Sequence, residues 1–188
     1  MTTGEKYAGF LDHIQACLGP IRDAEAPAAD GAGRGFALLF CVSGDGDLVT
    51  AVTNGLRFQD ITAIMPLELA CTLRSDQRSA ARALVALTAT LAVRTGAGPA
   101  FDQIIPAPEP LIAGTEIEGV MIVPHPYLED GFESLVNAQG RTELHLLTVV
   151  PVTAAEIAYA QEHGPDALYE QWEEQETDLL DVTRASAV

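Results

Sequence analysis

The sequence predicts an α+β fold, suppressed to its outline as an antiparallel-rich mixed sheet covered by helices. Three observations carry that prediction. Residues 36–53 hold two apolar segments joined by a turn-forming run, residues 76–94 carry an amphipathic helical pattern, and an apolar segment at 143–152 runs directly into a helix start.

Taken in order, residues 5–18 place Tyr7, Phe10, Leu11, Ile14 and Leu18 at intervals of three and four, which is one face of a helix. Gly19-Pro20 ends it, because glycine leaves the helical region at little cost and proline cannot continue a helix. Residues 23–35 are rich in small residues and predict a connector, flexible over 25–35. Phe36–Val42 reads as a strand, Ser43–Asp47 as a turn, and Leu48–Thr53 as the second strand of a hairpin. Asn54-Gly55 marks another sharp turn, since both residues tolerate positive φ, and Leu67–Leu73 reads as a short buried strand.

Ser75 is the expected N-cap of the longest helix, over 76–94. Its buried stripe is Leu84, Leu87 and Leu91, flanked by Ala80, Ala81 and Val85. Arg74, Arg78 and Arg82, spaced by four, form a basic ridge that is either a solvated face or a match to acidic groups elsewhere in the chain. Residues 96–116, with four prolines and three glycines, predict an irregular crossing. Gly119–Pro124 and Glu143–Val152 are further strands, the second so continuously apolar that it belongs in the sheet interior. Thr153-Ala-Ala-Glu156 has the spacing of a capping box. Gly164-Pro165 ends that helix and starts another, anchored by Leu168 and Trp172 one turn apart. One domain over 1–188 accounts for all of these elements, with an acidic tail over 175–188.

Charge narrows the function classes. The chain of 188 residues has a formal net charge of −17, and it is unevenly spread. Residues 1–94 hold ten acidic and eight basic side chains, whereas residues 95–188 hold seventeen acidic side chains against Arg141 and Arg184 alone. Such a field repels nucleic acid and anionic membranes, and it attracts basic proteins. An acidic surface also serves solubility by itself. Three widely spaced cysteines (Cys17, Cys41, Cys71) fit a reducing compartment. With no apolar run near the roughly 20 residues of a membrane span and no secretory pattern at the N-terminus, the expectation is a cytoplasmic protein.

His13, His125, His145 and His163 are scattered, without a second ligand at metal spacing, so no metal or cofactor is expected. Ser43–Asp47 begins like a calcium loop but lacks its twelfth-position acid, and Gly31–Gly35 lacks the lysine of a phosphate loop. A hydrolase or transferase with a site assembled from His125, Glu129 and Cys41 is one alternative, and Glu129 with Asp130 offers adjacent carboxylates. A regulatory adaptor that binds a peptide by strand addition is another. A different signal lies near the end of the chain. Glu170, Glu173, Glu174, Glu176, Asp178 and Asp181 place six carboxylates within twelve residues without an intervening cation. They read as a solvated, partly frayed face, or as a docking surface for a basic partner with Tyr169 and Trp172 as its apolar anchor.

Two stretches resemble the suppressor of fused family. Val52-Thr53-Asn54-Gly55-Leu56, followed by Leu67-Glu68-Leu69, is similar to the family's Thr-Tyr-Gly-Leu-Ser turn and later Phe-Glu-Leu strand. Glu143–Glu156, running on through His163-Gly164 to Leu168, resembles its apolar strand, Pro-Ile-Thr-x-x-Glu helix start and glycine-containing helix break. Arg184-Ala-Ser resembles the short ending of bacterial members, so that the likeness spans roughly residues 36–186. Asn54 and Arg57 stand where the family has tyrosine and serine, and Pro66 where arginine is common. The resemblance implies a non-enzymatic protein-binding domain. It also implies, by analogy with bacterial relatives read as immunity proteins, an inhibitor that blocks a toxin, and the acidic second half fits a toxin that is basic and nuclease-like. The partner-binding residues expected on this reading are Tyr169, Glu170, Trp172, Glu173, Glu174, Glu176 and Asp178.

Overall fold

The computed structural model describes residues 6–27, 35–129 and 131–188. In chain order the elements are α1 (Phe10–Leu18), β1 (Ile21–Glu25), β2 (Ala37–Val42), β3 (Leu48–Asn54), β4 (Leu67–Arg74) and α2 (Arg78–Thr95). They continue with β5 (Ile104–Pro106), β6 (Ile117–Val123), β7 (Ser134–Val136), β8 (Thr142–Thr153), α3 (Ala154–His163) and α4 (Pro165–Glu174). The strands form one sheet in the order β1-β2-β3-β4-β8-β6-β5, with β7 beside β8 off that path. Among the described strand pairs, β4–β8 alone is parallel. The α+β class and the antiparallel-rich mixed sheet are thus as the sequence predicts.

Side-chain alternation along β2 divides the core. Leu38 and Phe40 face α2, packing with Leu69, Leu73 and Leu84, while Leu39 and Cys41 face α1 and join Ile14, Val52 and Leu146. A third cluster buries α3 and α4 against Met121, Val123, Val150 and Val152. β8 is covered on both faces, which is why its sequence is apolar at consecutive positions and not alternating. Gly19 lies where a Cβ would come within 2.1 Å of the Val42 carbonyl oxygen, so the turn after α1 admits glycine alone.

Several expectations are corrected. β1 occupies residues assigned to the connector, whose stretch 28–34 lies outside the described residues. Its three central side chains are exposed, so it carries no apolar alternation to read; Asp23 and Glu25 instead meet Arg78 and Arg82 of α2. The α1 helix starts at Phe10, after Tyr7 and Gly9 take left-handed conformations. Ser75 does not cap α2: it enters a 3-10 turn, and its amide donates to the Asp47 carbonyl. Leu87 is 52% exposed, because α2 approaches β3 and β4 through the small face of Ala80, Ala81, Val85, Ala89 and Ala92, with Leu84 the one large residue on it. β5 lies within the stretch expected to be irregular, and β7 within one given no strand.

The parallel pairing of β4 and β8 runs only from Leu67–His145 to Ala70–Thr148. Beyond it the C-terminal segment bridges the two strand ends. The Arg74 amide donates to the Leu180 carbonyl (3.0 Å), and Arg184 Nη2 donates to the Pro151 carbonyl (3.1 Å). In a strand the N–H and C=O of one residue point to the same side, so Pro151 lacks its donor on the side where no strand waits for it. Leu179 and Val182 are buried, so the acidic segment 175–188 is packed on the domain and not frayed.

Candidate functional site

Two buried glutamates organise the ends of the structure. Glu68 of β4 accepts from the amides of Gly55, Leu56 and Arg57 and from the Thr53 hydroxyl, and it pairs with the Arg57 guanidinium. Arg57 in turn donates to Asn54 Oδ1 (3.1 Å) and lies over the rings of Phe10 (4.6 Å) and Phe58 (4.5 Å). Burial dominates at Glu68 and raises its carboxyl above the ordinary range despite these donors. Glu156 completes the capping box expected at the start of α3: the Thr153 hydroxyl accepts from the Glu156 amide, and the Glu156 carboxylate accepts from the Thr153 amide. The same carboxylate accepts from Trp172 Nε1 (3.2 Å), the Ala187 amide (3.2 Å) and both terminal nitrogens of Arg184.

Those contacts fix the walls of a groove of about 910 Å³ between the loop after β6 and the stretch from Tyr169 to Leu180. Gly164, at φ 90°, turns the chain from α3 into α4, and Pro165 starts α4 with its φ already helical. Trp172 is thereby turned inward. On the opposite wall the Tyr127 hydroxyl donates to the Thr177 carbonyl (3.3 Å) and accepts from the Leu179 amide (3.2 Å). Tyr169 donates its hydroxyl to Asp102 Oδ1 (2.9 Å). Asp102 (φ 64°) and Glu176 (φ 48°) are two of the three non-glycine residues with left-handed backbone among the described residues, and both line the groove.

The lining is apolar below and acidic at the rim. Val123, Pro124, Pro126 and Leu179 contribute the apolar surface, and Glu173, Glu176, Asp178 and Asp102 the charge; among the described residues no lysine or arginine lines it. His125, also in the lining, is neutral. Its Nδ1 accepts from the Tyr127 amide (3.2 Å), which leaves the proton on Nε2 to be donated to Thr72 Oγ1 (2.9 Å). Burial pushes its pKa down to about 4, against a smaller opposing influence from Glu133.

The structure brings together five of the seven expected partner-binding residues. Tyr169, Trp172, Glu173, Glu176 and Asp178 line the groove, whereas Glu170 and Glu174 lie outside it. The six carboxylates do not share one helix face, because α4 ends at Glu174. Trp172, at 5% exposure, is wall and not protruding anchor. The ridge of arginines divides: Arg74 pairs with Asp178 and Asp181 of the acidic half, while Arg78 and Arg82 pair within the first half. Sequence reasoning missed Asp102 and the loop 123–127 as parts of the site, since neither carries a motif and both reach it only through the sheet.

The dispersed catalytic set is not assembled. Cys41 sits on β2, two strands or roughly 10 Å from the β4 residue Thr72 that holds His125, and burial pushes its thiol up to about 11. Glu129 is exposed and outside the groove, and Asp130 lies outside the described residues. Among the described residues no three His, Cys, Asp or Glu side chains cluster as metal ligands, and no helix is long and apolar enough to cross a membrane. The described sheet edges are the five-residue β1, the three-residue β5, which ends in proline, and the three-residue β7, which pairs with β8 alone.

Solved structures share this architecture. A suppressor of fused homologue from Neisseria gonorrhoeae FA 1090 aligns with a TM-score of 0.69 at 16% identity, over 95% of this chain and 94% of that one. A chain of the Sufu-Fu complex aligns with a TM-score of 0.65 at 12% identity, over 97% of this chain and 92% of that one. Drosophila Suppressor of Fused aligns with a TM-score of 0.52 at 14% identity, over 80% of this chain and 42% of that one. At these identities the likeness is one of fold. No curated protein matches the chain. The sequence profile described as suppressor of fused protein matches residues 36–185, covering every element from β2 through α4, and the chain therefore belongs to the suppressor of fused family.

Proposed function

We propose that the chain is a non-enzymatic protein-binding domain that docks a basic partner on the acidic face formed by α4 and the segment after it. In its most specific form, it is a cytoplasmic immunity-type inhibitor that covers the working site of a nuclease-like toxin. The observation that carries this reading is that the acidic half is not neutralised from within. Arg74 engages Asp178 and Asp181, and Arg184 engages Glu156, but the carboxylates of Glu170, Glu173 and Glu176 have no side-chain partner among the described residues. Unpaired surface carboxylates on a chain of charge −17 accelerate encounter with a cationic partner and repel nucleic acid from the same face. Family membership supports a binding role, and one suppressor of fused structure is that of a complex with a protein, Sufu-Fu.

The test is binding of the purified protein to the product of an adjacent toxin-like gene, followed by charge reversal at Glu173 and Glu174. Asp178 is left intact because it holds Arg74. Weaker binding and a flatter salt dependence in the variant are expected. Unchanged affinity with unchanged salt dependence would remove this face from consideration.

A further inference from the structure

We infer that the groove between the loop 123–127 and α4 receives an apolar side chain from a basic segment of the partner, so that the anchor residue of the interface is the partner's and not this chain's. The inference rests on the reading that the acidic face is the docking face, and it deepens that reading by naming what enters the groove. The aromatic that would have served as this chain's anchor, Trp172, is turned inward, where its indole N–H is held by Glu156. What faces out in its place is a concavity of about 910 Å³, within the range of roughly 300–1,000 Å³ that encloses a drug-sized ligand and large enough for one large side chain with its flanking backbone.

Charge then selects the occupant. The apolar floor is bordered by Glu173 and Glu176, both exposed, and among the described residues neither has a side-chain partner and no cation lines the groove to offset them. An acidic or phosphate-bearing segment is repelled there, and an uncharged apolar one leaves the rim carboxylates without compensation. A segment with Lys or Arg on either side of Phe or Leu satisfies both surfaces at once: the apolar side chain covers the floor while its neighbours meet the rim. The wall also offers Thr177, whose hydroxyl is buried with no hydrogen-bond partner among the described residues.

The experiment uses the full chain and three blocked pentapeptides: Lys-Arg-Phe-Arg-Lys, the same with Ala for Phe, and Glu-Asp-Phe-Asp-Glu. Binding is followed by the emission of Trp172, the single tryptophan of the chain, and by backbone amide shifts. The basic Phe peptide is expected to bind at least about tenfold more tightly than the Ala peptide, which reflects burial of one aromatic side chain. The acidic peptide is expected not to bind. Shifts should concentrate at Val123, His125 and Leu179, and Glu173→Gln with Glu176→Gln should weaken the Phe peptide about tenfold. Neither substitution removes a side-chain hydrogen bond or ion pair among the described residues. Equal binding of the Phe and Ala peptides, shifts confined to other surfaces, or no binding of any peptide would overturn the groove inference. The two readings separate cleanly. If the partner is lost on charge reversal while the Phe and Ala peptides bind alike, the acidic face stands and the groove inference fails. If the Phe peptide fills the groove but the partner ignores charge reversal, the docking reading fails and the groove is a binding site for something else.

Discussion

The carboxylate of Glu156 and the guanidinium of Arg184 face each other through two hydrogen bonds, of 2.6 and 2.8 Å, with side-chain exposures of 0% and 5%. This pair joins the start of α3 to the C-terminal segment, and through Trp172 it sets the wall of the groove. Burial opposes the charge on Glu156. The bidentate guanidinium and the amides of Thr153 and Ala187 outweigh it and hold the carboxyl below its ordinary range.

Removing Arg184 leaves a buried carboxylate with only neutral donors. Arg184→Ala is expected to cost about 3–5 kcal/mol in urea unfolding, and the double variant Glu156→Gln, Arg184→Ala to cost less than the sum of the two single changes. A shift in Trp172 emission in Arg184→Ala would report the groove wall moving with it. Strict additivity would show that the two residues act independently.

The Glu156 pair also predicts a pH dependence. Its carboxyl binds protons less readily folded than unfolded, so its contribution is complete above the ordinary value of an unfolded glutamate and is lost as pH falls through the lower folded value. Glu156→Gln should flatten the acid end of the stability profile. An acid limb as steep as that of the unaltered protein would place the acid sensitivity elsewhere.

His125 acts in a higher window. The unfolded imidazole takes a proton near pH 6.5, whereas the folded one resists until about 4, so protons favour unfolding between those values. Stability is expected to fall by up to about 3 kcal/mol as pH drops from 6.5 to 4, and His125→Gln should abolish that slope even if it lowers stability throughout. A slope unchanged in the variant would contradict the buried neutral imidazole.

Arg57 is not replaceable by another cation. Its guanidinium bonds Glu68 and Asn54 while lying over Phe10 and Phe58, which needs a planar group with several donors. Arg57→Lys is expected to lose about 2 kcal/mol or more of stability, approaching Arg57→Ala. A lysine variant as stable as the original protein would reduce Arg57 to a simple countercharge.

What the sequence made legible was local. Thr153 and Glu156 announce a capping box because both partners lie within four residues, and β8 announces an interior strand because it is apolar at consecutive positions. Arg184 could not be matched to Glu156 from 28 residues away, nor Tyr127 to Thr177 from 50. β1 is silent in the sequence because its exposed, ion-paired side chains carry no periodic apolar signal, and Leu87 has the spacing of the buried stripe yet lies exposed because α2 packs through small residues. The candidate site shows the same division: the carboxylates and Tyr169 stand out by composition, whereas the groove exists only once Asp102 and residues 123–127 are folded beside them.

The central claim is docking through the acidic face, and the most direct measurement is the association rate constant for the basic partner across rising salt, for the unaltered protein and for Glu170→Lys with Glu173→Lys. The account predicts a rate that falls steeply with salt in the unaltered protein, and a variant about tenfold slower at low salt with a flattened slope. Identical rates and slopes for the two proteins would contradict it.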